Sequence, residues 1–387
     1  MRILYHFRTQ GTGAEGIHIA GMARAFEELG YTVTFSSPTG NDPRETAGAS
    51  PFAQGASRTL LSRLAAGLPA ILFECMEIAY NHVAYRRNRA VLGQGKFDFI
   101  YERHAFFLSS TAKLAKERGI PLVVEVNEFA GDERVRATPR LHTLARRADL
   151  ITFQAARLIV VVSPHLQRRI ADLGIDSGKV LVMPNAVGEH FFAAPSQRTH
   201  VRSRLGLDES LIIGFVGWFV AWHRLDRLIE VFASISGAHH SARLLLVGDG
   251  PLKSALLSQA KSLGVGERVV LVGPVPHADI HGWLDAMDVA VVPHANEYRS
   301  PIKLFEAMAR GKAVLAPRTE PIASVVQDGT TGMLFSTNDE ADLAGKLGVM
   351  VEDTALRERL GAAARMDVEN NHTWRMNAQK VLDALQS

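Results

Sequence analysis

Between Ser300 and Pro317 the chain reads SPIKLFEAMARGKAVLAP, a helix-forming run whose first turn suits an anion. Ser300 is an N-cap residue type, Pro301 suits the first helical position, and Gly311 stands where a helix stops. The amides of Ile302, Lys303 and Leu304 then face outward, and the helix dipole and the Lys303 ammonium both favour negative charge there. Glu306, one turn on, can reach the hydroxyls of a sugar attached to such an anion, and Ala313 to Ala316 restart a buried strand. Phosphate cradle, carboxylate and strand together describe a nucleotide-sugar site; taken alone, an ordinary capped helix of an α/β domain has the same pattern.

Glycine turns provide further candidates. After the apolar run Ile3 to Phe7 comes RTQGTGAEGIHIAG, where Gly11, Gly13 and Gly16 let backbone approach a phosphate closely. The spacing matches G-x-G-x-x-G, but the next apolar run ends at Ser36 and Ser37 with no acidic residue for a ribose, so dinucleotide binding is not the reading. A tight strand-to-helix turn accounts for the same glycines. In the second half Gly217 and Gly248 end apolar runs in FVGWF and VGDGP, and VLVGPVPH and VVPHANEYRSP supply further turns.

These loops need parallel strands to hold them. Short apolar runs alternate with helical patterns throughout: Ile3 to Phe7, Thr32 to Phe35, Phe99 to Tyr101, Leu122 to Val126, Leu158 to Val162 and Val180 to Met183 in the first half. After the polar, Arg-containing stretch from Pro195 to Glu209 come Leu211 to Val216, Ala242 to Val247, Val269 to Val272, Val289 to Val292, Ala313 to Ala316 and Met333 to Phe335. Ile19, Met22, Phe26 and Leu29 mark a helix stopped by Gly30, and Leu225, Leu228, Ile229 and Phe232 mark another. The pattern predicts an α/β chain of two doubly wound domains, residues 1–200 and 201–371, with ligands in the cleft beyond the strand ends.

Composition narrows the class. A chain of 387 residues, 47% hydrophobic and 21% charged, suits two globular domains and not a disordered segment. Its lone cysteine, Cys75, excludes an intrachain disulfide and fits a reducing compartment. MRILYHFRTQ has no long apolar leader and no window has the roughly 20 apolar residues of a membrane span, so a cytoplasmic location is expected. A net charge of +3 gives no argument for nucleic acid. Residues 58–91, with Arg86, Arg87 and Arg89 at their end, read either as core helices with a solvated basic end or as a surface resting on the inner face of an anionic membrane. Arg134, Arg136, Arg140, Arg146 and Arg147 leave the same choice between an acidic acceptor and solvent.

The N-terminal glycine loop, MPNAV at Met183 to Val187, FVGWF, VGDGP, FEAMARGKAVLAP and the tail HTWRMNAQKVLDAL occur in an order that resembles the retaining GT-B glycosyltransferases of family 4. The resemblance covers nearly the whole chain. It implies two facing Rossmann-like domains, a final helix over residues 372–387 crossing back to the first, no catalytic metal or cofactor, and a UDP- or GDP-sugar as donor.

Residue by residue the resemblance is uneven. The second of the family's two motif glutamates, a ribose ligand, falls on Glu306; Tyr298 stands at the place of the first, with Glu297 one position earlier. At the places of the diphosphate-clamping Arg and Lys stand Trp218 and His223, followed by Arg224, and Lys303 is the compensating charge. Trp218 reads as packing or base stacking. The base is expected against backbone from Gly273 to Val275. Asn127, between Glu125 and Glu128, takes the place of a histidine near the donor sugar, and Glu102, Arg103 and His104 are candidate acceptor contacts, with a structural role for His104 an equal reading.

The implied reaction moves a glycosyl group from a nucleotide diphosphate sugar to a hydroxyl of a carbohydrate, lipid-linked or small-molecule acceptor, with retention. Tyr298, Trp218 and Asn127 keep open a non-catalytic nucleotide-sugar binding protein on the same fold, and a GT-B epimerase or hydrolase is a third reading.

Overall fold

A computed structural model describes residues 1–46, 69–129 and 138–386. Arg134 and Arg136, and the part of the apolar stretch before residue 69, lie outside the described residues. The chain forms two compact units, Met1–Pro184 joined by the chain from Trp374 onward, and Asn185–Thr373.

The first unit is built on β1 (Arg2–His6), β2 (Thr32–Ser36), β3 (Phe99–Arg103), β4 (Leu122–Val126), β5 (Leu158–Val161) and β6 (Val180–Val182). They form one parallel sheet in the order β2-β1-β3-β4-β5-β6. Helices cover both faces, which is why β4 and β5 read as continuous apolar runs. Glu125 is the exception, a carboxylate in the middle of buried β4. The helix Trp374–Gln386 lies against the helix Gly13–Glu28. Gly21 permits this contact, since a Cβ there would stand 2.6 Å from the Trp374 indole nitrogen.

The second unit contains β7 (Leu211–Val216), β8 (Ala242–Val247), β9 (Val269–Gly273), β10 (Val289–Val291), β11 (Ala313–Pro317) and β12 (Met333–Phe335), parallel in the order β12-β11-β10-β7-β8-β9. Strand order reverses between β7 and β10, where an open α/β sheet forms a crevice at its C-terminal edge. Leu225, Leu228, Ile229 and Phe232 of the helix Leu225–Ser236 are fully buried on the sheet. Each contributes about 1.5 to 3 kcal/mol of transfer free energy, enough to make that stripe the orienting feature of the helix. The Arg-rich stretch before β7 forms the helix Arg198–Leu205, and Arg198 and Arg202 both hold Asp288 at 2.6 Å. Its charges therefore tie it to the second unit.

Candidate active site

The C-terminal ends of β7, β8 and β9 are tied together through glycines. Gly217 has φ 145° and donates to Val247 O at 2.9 Å, while Gly248 has φ 138° and donates to Gly273 O at 2.9 Å. A Cβ at Gly248 would lie 1.9 Å from Gly217 O, so the two turns approach more closely than any side chain allows. Phe219 N–H donates to Asp249 O at 2.7 Å and completes the connection.

Lys303 rests on this platform. A Cβ at Gly217 would stand 2.4 Å from Lys303 Nζ, and the ammonium lies 4.2 Å from the centre of the Phe215 ring, a cation–π contact that holds the charge at the end of β7. His223 Nδ1 is 2.6 Å from Trp218 O, and a carbonyl only accepts, so Nδ1 carries the proton. His223 Nε2 then presents its lone pair to Lys303 Nζ at 3.3 Å. Trp218 is exposed and meets Trp222 edge to face at 6.4 Å. Lys303 and His223, 80 residues apart, are thus adjacent. Arg224 is not brought to them: in a left-handed conformation at φ 49°, it forks onto Asp226 at 3.0 Å, and that bond raises its pKa further.

The helix beneath Lys303 differs from expectation at its start. It runs Ile302–Ala309 with Pro301 in the cap position and no side-chain cap. Ser300 instead accepts the Asn185 amide on its hydroxyl at 3.0 Å, and its carbonyl takes the Asn185 side chain, so a long-range contact replaces local capping. Leu304 N–H closes onto Pro301 O at 3.0 Å, which removes it from the expected set of open donors. Ile302 N–H has no hydrogen-bond partner among the described residues and, with Lys303 N–H beside it, heads the helix. Gly311, at φ 65°, follows the helix end in the left-handed conformation that stops it.

Glu306 is buried, and its Oε1 lies 2.6 Å from His277 Nε2. Oε2 has no hydrogen-bond partner among the described residues. His277, in the turn after β9, was missed in the sequence; its position in VPH, 29 residues from Glu306, carries no local signal of the pairing. Just before it, Val275 sits between Pro274 and Pro276 with neither its N–H nor its carbonyl bonded among the described residues. Upstream of the helix, Tyr298 is buried with Arg299 over its ring, whereas Glu297 is exposed in the turn and makes no ion pair among the described residues.

In the first unit Gly11, ahead of the helix, and Gly13, its first residue, adopt φ 70° and 62°, but Gly16 is buried within it and donates to Thr12 O. Asn127 is half-buried and donates to Glu125 Oε1 at 2.5 Å. Glu125 also receives His18 at 2.8 Å, Tyr101 at 2.8 Å and Arg103 at 2.5 Å. Burial alone would raise its pKa, but the charges of His18 and Arg103 and these hydrogen bonds hold it down to about 2. Asn127 is thereby oriented by a fixed anion. The acceptor candidates are corrected here. Glu102 is fully buried against His6 at 2.7 Å, and His104 is packed among Phe106, Phe129 and Phe153 with its Nε2 on Asp149 at 2.9 Å, so neither side chain faces solvent. Arg103, bound to Glu125 and Glu15, keeps a partly open edge. Among the described residues no group of His, Cys, Asp and Glu is placed to hold a metal ion.

Two parallel six-stranded sheets in Rossmann-like units, one bearing a lysine-headed helix at its switch point, have the architecture of the GT-B fold class. The comparisons agree: the family described as Glycosyltransferase Family 4 matches residues 16–190, and that described as Glycosyl transferases group 1 matches residues 197–367. A D-inositol 3-phosphate glycosyltransferase of Streptosporangium roseum is 30% identical over 72% of this chain and 67% of its own, and one of Thermobifida fusca 28% over 91% and 84%. Among solved structures, HepE of Anabaena in complex with UDP superposes with a TM-score of 0.75 at 18% identity, covering 100% of both chains. Sucrose-phosphate synthase of Thermosynechococcus elongatus gives 0.74 at 18% identity, covering 100% of this chain and 98% of that one. The chain belongs to the group 1, family 4 glycosyltransferases and is a transferase enzyme.

Proposed function

We propose that this enzyme transfers a sugar from a nucleotide diphosphate sugar to an acceptor hydroxyl with retention of anomeric configuration and without a metal ion. The observation that carries the reading is the seat of Lys303, held over Phe215 and against Gly217 at the head of the Ile302 helix. There the ammonium and the helix-terminal amides stabilise a diphosphate as it gains charge on leaving. Neutral His223 accepts from Lys303 and orients it.

Glu306 Oε2, steadied through His277, accepts from ribose hydroxyls, and the unbonded Val275 N–H and carbonyl pair with the edge of the base. A uracil or a guanine edge can be read by such a backbone pair; HepE, of the same fold, is a UDP complex. Exposed Glu297 and buried Tyr298 flank the donor sugar. In the reaction the bond from the anomeric carbon to the diphosphate oxygen breaks, the acceptor oxygen bonds the same carbon on the same face, and the acceptor proton passes to the departing phosphate oxygen. Asn127, fixed by Glu125, offers its side-chain carbonyl to a sugar hydroxyl.

The curated relatives named as D-inositol 3-phosphate glycosyltransferases make a polyol phosphate the first acceptor to test. The test is nucleoside diphosphate release from UDP-, GDP-, dTDP- and ADP-sugars with and without D-inositol 3-phosphate, with NMR of the product's anomeric proton. Release with one donor and a retained anomer supports the reading. Tight nucleotide binding with no release under any condition, or an inverted product, overturns it.

A further inference from the structure

The helix Ala70–Leu92 buries its polar face and exposes its apolar one. Glu74 accepts the Arg140 and Leu141 amides at 2.9 and 2.8 Å, and Glu77 binds Arg8 at 2.6 Å. Asn88 joins Ser36 and Thr111. These contacts set the rotation of the helix about its axis, so its aliphatic residues do not turn inward. Ile71, Leu72, Phe73, Met76 and Val83 remain between 37% and 51% exposed, a cluster that monomeric surfaces seldom carry.

The exposed charges of the helix itself have one sign. Both carboxylates of the helix are inward, and its exposed basic residues are His82, Arg86 and Arg89. The helix His142–Ala155 adjoins through Glu74 and exposes Leu144 and Ile151 beside Arg146 and Arg147, while its one carboxylate, Asp149, is bound to His104.

We infer that this face docks on an anionic lipid surface, with the apolar side chains at the acyl boundary and the arginines on headgroup phosphates. Large apolar groups interleaved with arginines, and no outward carboxylate on either helix, fit a uniformly anionic, oily sheet better than a protein partner carrying both signs; the exposed carboxylate that reaches the Ala70 helix, Glu117, is bound by the Tyr85 hydroxyl and lies 3.9 Å from Lys113. The inference is independent of the donor chemistry.

The test is flotation of the full chain with vesicles of phosphatidylcholine alone and of phosphatidylcholine mixed with phosphatidylglycerol, at low and high salt. Binding is expected to the mixed vesicles, to weaken with salt, and to be weak on phosphatidylcholine alone. Leu72→Asp with Met76→Asp, and separately Arg86→Ser with Arg89→Ser, should each lower partitioning about tenfold. All four side chains point outward, so both variants should keep the wild-type melting temperature; if the aspartate pair does not, the arginine pair alone decides. Flotation with neither vesicle, or equal flotation of wild type and the arginine pair, overturns the inference. So does a dimer in light scattering that Leu72→Asp dissociates, since the face would then be a protein interface.

Discussion

His277 Nε2 lies 2.6 Å from Glu306 Oε1, so a turn after β9 fixes a carboxylate on the helix that also carries Lys303. Glu306→Gln and His277→Ala are each expected to weaken nucleoside diphosphate binding by about 1.5 kcal/mol, the scale of one hydrogen bond to a charged group. Both should also erase the preference for the ribonucleotide over its 2′- and 3′-deoxy analogues in titration calorimetry. A preference that survives both substitutions would remove ribose from the assignment of Glu306.

Lys303→Ala is expected to reduce affinity for the diphosphate by about 1.5 to 3 kcal/mol while leaving affinity for the nucleoside unchanged. Calorimetry with both ligands separates these effects. Equal affinity of wild type and variant for the diphosphate would place the ammonium outside the site.

Gly248→Ala should destabilise the chain by about 3 kcal/mol or more, because the turn combines a φ of 138° with a Cβ 1.9 Å from the Gly217 carbonyl. Any folded fraction should bind diphosphate poorly, since relief of the clash moves Gly217 from beneath Lys303. Thermal unfolding with and without ligand tests this. An alanine variant as stable as wild type would show that the two turns part without cost.

Glu125 predicts an acid limit. Its folded pKa of about 2 lies below the ordinary 4.5, so its charge stabilises the fold fully above about pH 4.5, and that contribution fades as pH falls toward 2. The linkage is on the order of 3 kcal/mol. Melting temperature measured across that range should fall steeply for wild type and less for Glu125→Gln, which is already destabilised at neutral pH by the loss of an anion facing His18 and Arg103. Parallel curves for the two proteins would assign the acid loss to other carboxylates.

Much of the second unit was legible in the chain. KLFEAMARG marks a helix, its stop and a carboxylate through local features: helical spacing, a terminating glycine and the charge of Lys303. All twelve strand cores lie where apolar runs stand; in central strands such as β5 and β11, buried along their whole length, the run shows no alternation because both faces are covered. Glu297 against Tyr298 was not legible. Two adjacent residues in a turn point opposite ways, and which one goes inward is decided by what packs there; the aromatic is buried and the carboxylate meets water.

By itself, the sequence determined the strands, the glycine turns and the placing of Lys303 and Glu306 on one helix, since each depends on residues a few positions apart. Tertiary structure alone decided that Ser300 meets Asn185 instead of capping its helix, that Glu102 and His104 turn into the core, that His277 steadies Glu306, and that the Ala70 helix faces outward with its apolar side. The physical reason is common to all four. A polar side chain takes the partner that sheet order brings within about 3 Å, and no local pattern records which distant residue that is.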